Sequence, residues 1–207
     1  MSDIADFERR AARTIEASIE VKQFLLRDQS LLNAVAKVSD ALFRALKRGN
    51  KVFLFGNGGS AADSQHIAAE FVGRFAFDRP ALPALALTVN TSCLTAIGND
   101  YGFEVVFSRQ LEALARSGDV AIGFSTSGNS PNVLHALSTA KGIGLQTVGM
   151  TGTPGGKMKQ AKGVDFCLCA PSGDTPRIQE CHILIGHIIS EIVEQELFHA
   201  QSRVSGS

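Results

Sequence analysis

The stretch from Val52 to Phe75, VFLFGNGGSAADSQHIAAEFVGRF, constrains this chain more than any other. Four apolar residues, Val52 to Phe55, make the continuous run that a strand buried on both faces requires. The chain then turns through Gly56-Asn57-Gly58-Gly59 and continues with helical periodicity. Ser60 reads as the N-cap and Asp63 as a first-turn carboxylate complementing the helix dipole. His66 and Glu70, four residues apart, share one helix face about 6 Å apart along the axis. A glycine-rich turn between a strand end and a helix start is a place to bind anions or sugars. The His–Glu pair one turn further on suits a metal or a moving proton, or is a plain surface pair.

Two familiar motifs fail here. Gly56-x-Gly58-x-x-Ala61 matches the loose dinucleotide fingerprint, but the second apolar run ends Leu87-Thr88-Val89-Asn90 without the acid that binds a ribose. No Gly-Lys-Ser/Thr follows, so the turn is not a P-loop either.

Strands and helices alternate through the remainder. Helices are expected over 2–27 (Ile4, Phe7, Ala11, Ile15 and Ile19 on one stripe) and over 30–48 (Leu32, Val35, Val38, Leu42 and Leu46). Two helices before the first strand exceed what one sheet face needs, which favours an oligomer interface over simple cover. Further strands are expected at 84–89, 119–124, 145–150 and 164–168, with helices at 90–98, 103–116, 157–161 and 177–198. Asn99 to Gly102 has turn composition, and 200–207 reads as a loose tail. The whole divides into leading helices at 1–48, sheet and covering helices at 49–198, and a tail at 199–207. This is the α/β class: one domain with a parallel sheet covered on both faces and its sites at the strands' carboxyl ends.

A second loop falls at such an end: Ser125-Thr126-Ser127-Gly128-Asn129-Ser130-Pro131. Ser130 suits the cap and Pro131 the first helical position. Four hydroxyls beside a positive helix end favour a phosphate monoester over an ordinary serine-rich turn. The last long helix carries Gln179, Glu180, His182 and His187.

Charge and cysteines narrow the partners. Twenty Lys and Arg balance twenty Asp and Glu, and no basic run suggests nucleic acid. The N-terminus is charged and no apolar stretch is long enough for a membrane span, so a cytoplasmic location is expected. Four cysteines in 207 residues do not make a disulfide framework. Cys167 and Cys169 alternate in an apolar segment and read as strand residues, without the C-x-x-C pair of a thiolate metal site.

Four segments together resemble a known family: Phe55-Gly56-Asn57-Gly58-Gly59-Ser60, His66-Ile67-Ala68-Ala69-Glu70, Ser125 to Ser130, and Arg177-Ile178-Gln179-Glu180 with His187. The chain is similar over nearly its whole length to sugar isomerase (SIS) domains, and more narrowly to the phosphoheptose isomerases. The resemblance implies a flavodoxin-like three-layer sandwich, its five-stranded parallel sheet flanked by helices, in a homotetramer with sites at subunit interfaces. It implies conversion of sedoheptulose 7-phosphate to D-glycero-D-manno-heptose 7-phosphate, for bacterial lipopolysaccharide or nucleotide-heptose synthesis. It places one zinc per subunit on His66, Glu70, Gln179 and His187, with Glu70 and His187 catalytic. Substrate contacts fall on Asn57, Gly58, Gly59, Glu70, Asn99, Asp100, Ser125, Thr126, Ser127, Ser130 and Gln179.

The residue types suit that chemistry. Aldose–ketose interconversion moves a proton between C1 and C2 through an enediol, which requires a base that returns the proton and an electrophile for the oxyanion. A metal-bound carboxylate is a poor base, so either Glu70 leaves the metal or His187 shares the proton work. Non-catalytic SIS relatives that bind the replication initiator protein typically lack the Glu70 and His187 counterparts, and both are present here. Another phosphosugar isomerase or sugar-sensing domain would share only the serine loop. Gln179 and His187 lie about 12 Å apart along their helix and roughly 80° apart around it. That strain is relieved if the last helix of one subunit faces the Glu70 helix of a neighbour, so sites built from more than one chain are expected.

Overall fold

A computed structural model describes residues 3–202. The elements are α1 (Ile4–Arg27), α2 (Gln29–Lys47), β1 (Val52–Gly56), α3 (Gly59–Val72), β2 (Ala84–Ala86), α4 (Thr91–Asp100), α5 (Ser108–Leu114), β3 (Val120–Phe124), α6 (Pro131–Ile143), β4 (Gln146–Gly152), β5 (Phe166–Ala170) and α7 (Thr175–Ser202), with 3-10 turns at Phe103–Val105 and Gly156–Gln160.

All five strands are parallel, in the order β2-β1-β3-β4-β5. The expected three-layer α/β architecture is therefore present, with the flavodoxin-like strand order. β1 and β3 are buried at every residue, as continuous apolar strands in a sheet covered on both faces must be. Leu54, Ile122, Phe124 and Met150 pack on one side against Leu42 of α2, Phe71 of α3 and Ile185 of α7. Phe53, Phe55 and Ala121 pack on the other side against Leu111 of α5, Leu137 of α6 and Met158.

Several local expectations need correction. Ser60 is not the cap of α3: Gly58 is, at φ +56°, a left-handed conformation that glycine adopts at no steric cost. The helix then starts at Gly59, which puts Asp63 beyond the first turn and half-buried instead of at the dipole. β2 keeps three residues, because it forms the sheet edge and pairs on one side only. α4 runs through Asn99 and Asp100, and the turn comes after them at Gly102 (φ +95°). The expected helix at 103–116 splits into a 3-10 turn and α5. α7 starts at Thr175 and extends to Ser202, so the first part of the expected tail is helical; residues 203–207 lie outside the described residues.

The leading helices differ in fate. α2 buries eight residues, including Leu31, Val35, Val38 and Leu42, and is cover for the sheet. α1 buries only Leu25, and Ile4, Phe7, Ile15 and Ile19 of its apolar stripe are exposed. Polar contacts hold it to α7: Ser18 Oγ donates to Glu180 Oε2 at 2.5 Å, and Arg177 Nη1 donates to the Thr14 carbonyl at 2.7 Å.

Candidate active site

β1 has β2 on one side and β3 on the other, so the chain's direction of winding reverses between β1 and β3. Crevices of this kind, at the strands' carboxyl ends, are where open α/β sheets bind ligands. Both suspect loops open there. Asn57, leaving β1, exchanges two hydrogen bonds of 2.9 Å with Asn132 at the start of α6. A cavity of about 240 Å³ beside this pair is lined by Asn57, Phe103, Glu104, Ser130, Pro131 and Asn132.

The serine loop is preorganised. Ser130 is the N-cap of α6 and Pro131 follows it, but the Ser130 hydroxyl makes no capping bond. It pairs instead with Ser125 Oγ at 2.8 Å. Ser127 Oγ accepts from the Asn129 amide at 3.2 Å, and the Asn129 carboxamide accepts from Lys157 N at 3.0 Å. The first turn of α6 thus keeps amide N–H groups that no side chain caps, at the positive end of the helix dipole.

On the other side of the crevice α3 and α7 pack directly. A Cβ on Gly186 would lie 2.6 Å from Ile67 Cδ1, so this glycine permits the approach. His66 Nε2 lies 3.0 Å from His187 Nε2 and 3.0 Å from Glu70 Oε1. All three donor atoms fall within 4.8 Å of one another. Glu70 and His187 therefore meet within one chain, and sharing them between subunits is not needed. The close Gly186–Ile67 packing brings His187 against His66. Two imidazole nitrogens and a carboxylate oxygen around one point suit a divalent metal with N/O preference, zinc included. Gln179 lies elsewhere on this face, its amide packed on Gly59, about 10 Å along the α3 axis from His66. Asn99 and Asp100 end α4 exposed and bonded to each other at 2.8 Å.

Residues far apart in the chain hold this trio. Glu194, one face of α7 down from His187, accepts from Phe75 N at 2.8 Å, Ala76 N at 2.7 Å and Arg79 Nε at 2.9 Å. Arg79 donates onward to the Glu70 and Phe71 carbonyls at the end of α3, both at 2.7 Å. Both side chains are buried. Burial opposes the Glu194 charge, yet the two amides and the guanidinium hold its carboxyl below the usual carboxylate range. The Phe75 ring lies 5.8 Å from the His187 ring. His182 is fully buried on α7, its Nε2 3.2 Å from the Thr151 carbonyl at the end of β4; burial pushes it down to about 4 and keeps it neutral. Asp63 is pushed up to about 6 by burial, and the His66 charge opposes the shift. Sequence reading names Asp63 and His182 but not the Arg79–Glu194 pair. Arg79 and Glu194 are 115 residues apart, and only folding brings them together.

Open loops at the switch point, with a donor trio on α3 and α7, define a class, that of doubly wound α/β proteins whose crevice suits a small polar ligand. The SIS domain model matches residues 15–152, and the chain belongs to that family, among its phosphoheptose isomerases. It is 57% identical to the phosphoheptose isomerase of Sulfurimonas denitrificans over 89% of this chain and 93% of that one. With the Aneurinibacillus thermoaerophilus protein of the same name the identity is 56%, over 89% and 92%. Among solved structures, the phosphoheptose isomerase of Neisseria gonorrhoeae superposes with TM-score 0.85 at 42% identity, covering 91% of this chain and 99% of that chain. The Francisella tularensis phosphoheptose isomerase gives TM-score 0.85 at 32% identity, covering 94% and 100%.

Proposed function

We propose that this enzyme interconverts sedoheptulose 7-phosphate and D-glycero-D-manno-heptose 7-phosphate by proton transfer through an enediol, supplying bacterial lipopolysaccharide or nucleotide-heptose synthesis. The observation that carries the reading is the His66–Glu70–His187 trio on α3 and α7, together with a hydroxyl-lined helix start at the end of β3. The uncapped N–H groups of α6, with Ser125, Thr126, Ser127 and Ser130, take the phosphate. Asn57, Gly58, Gly59, Asn99, Asp100 and Gln179 face the sugar. Glu70 and His187 carry out the proton transfers at C1 and C2: one removes the proton, and the pair returns it to the neighbouring carbon.

His66, Glu70 and His187 would hold a zinc ion, and Gln179 would be its fourth ligand. Zinc would supply Lewis-acid stabilisation of the developing oxyanion. A scaffold role bound to a replication initiator is disfavoured, because Glu70 and His187 are both in place.

The exposed α1 stripe of Ile4, Phe7, Ile15 and Ile19 supports a homotetramer, since apolar stripes of this kind are buried in assemblies. None of the described helices is long and apolar enough to cross a membrane, which agrees with a cytoplasmic enzyme, and we read 1–207 as one functional unit. The test is incubation of the protein with sedoheptulose 7-phosphate, following aldose formation after chelation and after adding zinc back. Activity lost on chelation and restored by zinc supports the reading. Full activity in rigorously metal-free protein removes the metal, and no aldose under any condition removes the isomerase.

A further inference from the structure

β5 forms the sheet edge opposite β2. Its two cysteines, Cys167 and Cys169, are two residues apart, so both side chains leave the same face of the strand. Their sulfurs lie 3.8 Å apart, and both residues are only partly buried. This face belongs to the α5–α6 side of the sheet, where Cys167 packs with Met158 and Val164. The His66–Glu70–His187 trio sits on the opposite side, between α3 and α7. The Cys169 sulfur is 3.3 Å from the place a Cβ on Gly155 would take.

The two thiols share a proton unequally. A hydrogen bond from Cys167 pulls Cys169 down to about 7, burial opposes this, and the Lys159 ammonium adds to the lowering. The same bond, followed by burial, pushes Cys167 up. The shared hydrogen bond thus favours the thiolate at Cys169 over the thiolate at Cys167.

We propose that Cys167 and Cys169 form a two-thiolate chelate for a thiophilic divalent ion such as Zn2+ or Cd2+, separate from the nitrogen and oxygen donors of the active site. With metal–sulfur bonds of about 2.3 Å, sulfurs 3.8 Å apart subtend about 110° at the ion, the tetrahedral angle. Neither sulfur has to move. A disulfide, by contrast, needs the sulfurs to close to about 2.05 Å. Water would take the ion's remaining positions. The Cys167 thiol loses its proton as the ion binds, since a coordinating thiol is deprotonated outright. Ion binding is therefore accompanied by proton release.

The test is a titration of the full-length protein, kept reduced and with its thiol titre verified, with Cd2+ as the probe. The thiolate-to-metal absorption in the ultraviolet is read, because the nitrogen and oxygen donors of the other site do not produce it. One ion per chain should saturate the band, with protons released as it binds. Cys167→Ser and Cys169→Ser should each weaken cadmium affinity at this band at least tenfold, while Cys93→Ser should leave it unchanged. Alanine variants replace any serine variant whose circular dichroism departs from the parent. A full-strength band in the doubly substituted protein overturns the proposal by placing the ion on Cys93 or Cys181. An absent band in the reduced parent overturns it as well.

Discussion

The two loops that flank the switch point look alike in sequence and work differently. The β1–α3 loop turns on Gly58 and leads into a helix whose side chains, His66 and Glu70, carry ionisable donors. The β3–α6 loop carries its chemistry in the turn itself, as neutral hydroxyls and uncapped amides, and α6 behind it is mainly a dipole and a wall of core. The first loop serves reactivity, and its geometry depends on α7 and the Arg79–Glu194 pair. The second serves grip, and its backbone is held by the end of β4 and the stretch that follows it: Gly152 N donates to the Thr126 carbonyl at 3.0 Å and Met158 N to the Gly128 carbonyl at 2.9 Å. Damage to the first half should therefore reduce turnover, and damage to the second should reduce affinity.

Glu70→Gln tests the division most severely. Turnover should fall by about 10²- to 10⁴-fold, the range that acid–base catalysis contributes, while affinity for inorganic phosphate stays near the parent value. Phosphate affinity that collapsed together with turnover would merge the two halves into one.

The buried clamp behind the reactive half comes next. Removing one partner, by Arg79→Met or Glu194→Leu, strands a buried charge and should cost about 3–5 kcal/mol in urea unfolding. Serine-loop variants such as Ser127→Ala, at an exposed residue, should unfold close to the parent. Equal losses in the two sets would mean that the Ser127 side chain, and not only the loop backbone, carries stability.

Ser130→Ala addresses the gripping half. Losing one hydrogen bond to a charged phosphate should weaken substrate binding by about 1–3 kcal/mol, with kcat nearly kept. The dephosphorylated sugar should bind more weakly to the parent and be almost indifferent to the change. A parent that binds both sugars equally would leave the loop without this role.

The smallest effect is a pH signature confined to the reactive half. Asp63 has a folded value of about 6, raised from 3.8, so the folded state binds more protons than the unfolded one between these values. Stability is therefore lost as pH rises from about 4 to 6. Asp63→Asn, which does not titrate, should match the parent near pH 4 and exceed it by about 1 kcal/mol at pH 7, after discounting for the exposed half of the side chain. A pH-independent gap in melting temperature would assign the burial a different consequence.

The sequence by itself determined whatever is written in neighbouring residues. The apolar runs at Val52–Phe55 and Val120–Phe124 specify buried strands, Pro131 after Ser130 specifies a helix start, and Ile4 to Ile19 specify an amphipathic helix. These are periodic or capping signals, readable within one or two turns. Tertiary structure decided what depends on distance across the fold. It made α2 a cover and left the α1 stripe exposed, although both helices read alike, because only α2 lies against the sheet. It brought His187 to His66 within one chain, since Gly186 lets α7 settle on Ile67. It also joined Arg79 to Glu194 and aligned Asn57 with Asn132, pairs that have no local pattern because nothing in helical or strand periodicity reaches across 75 to 115 residues.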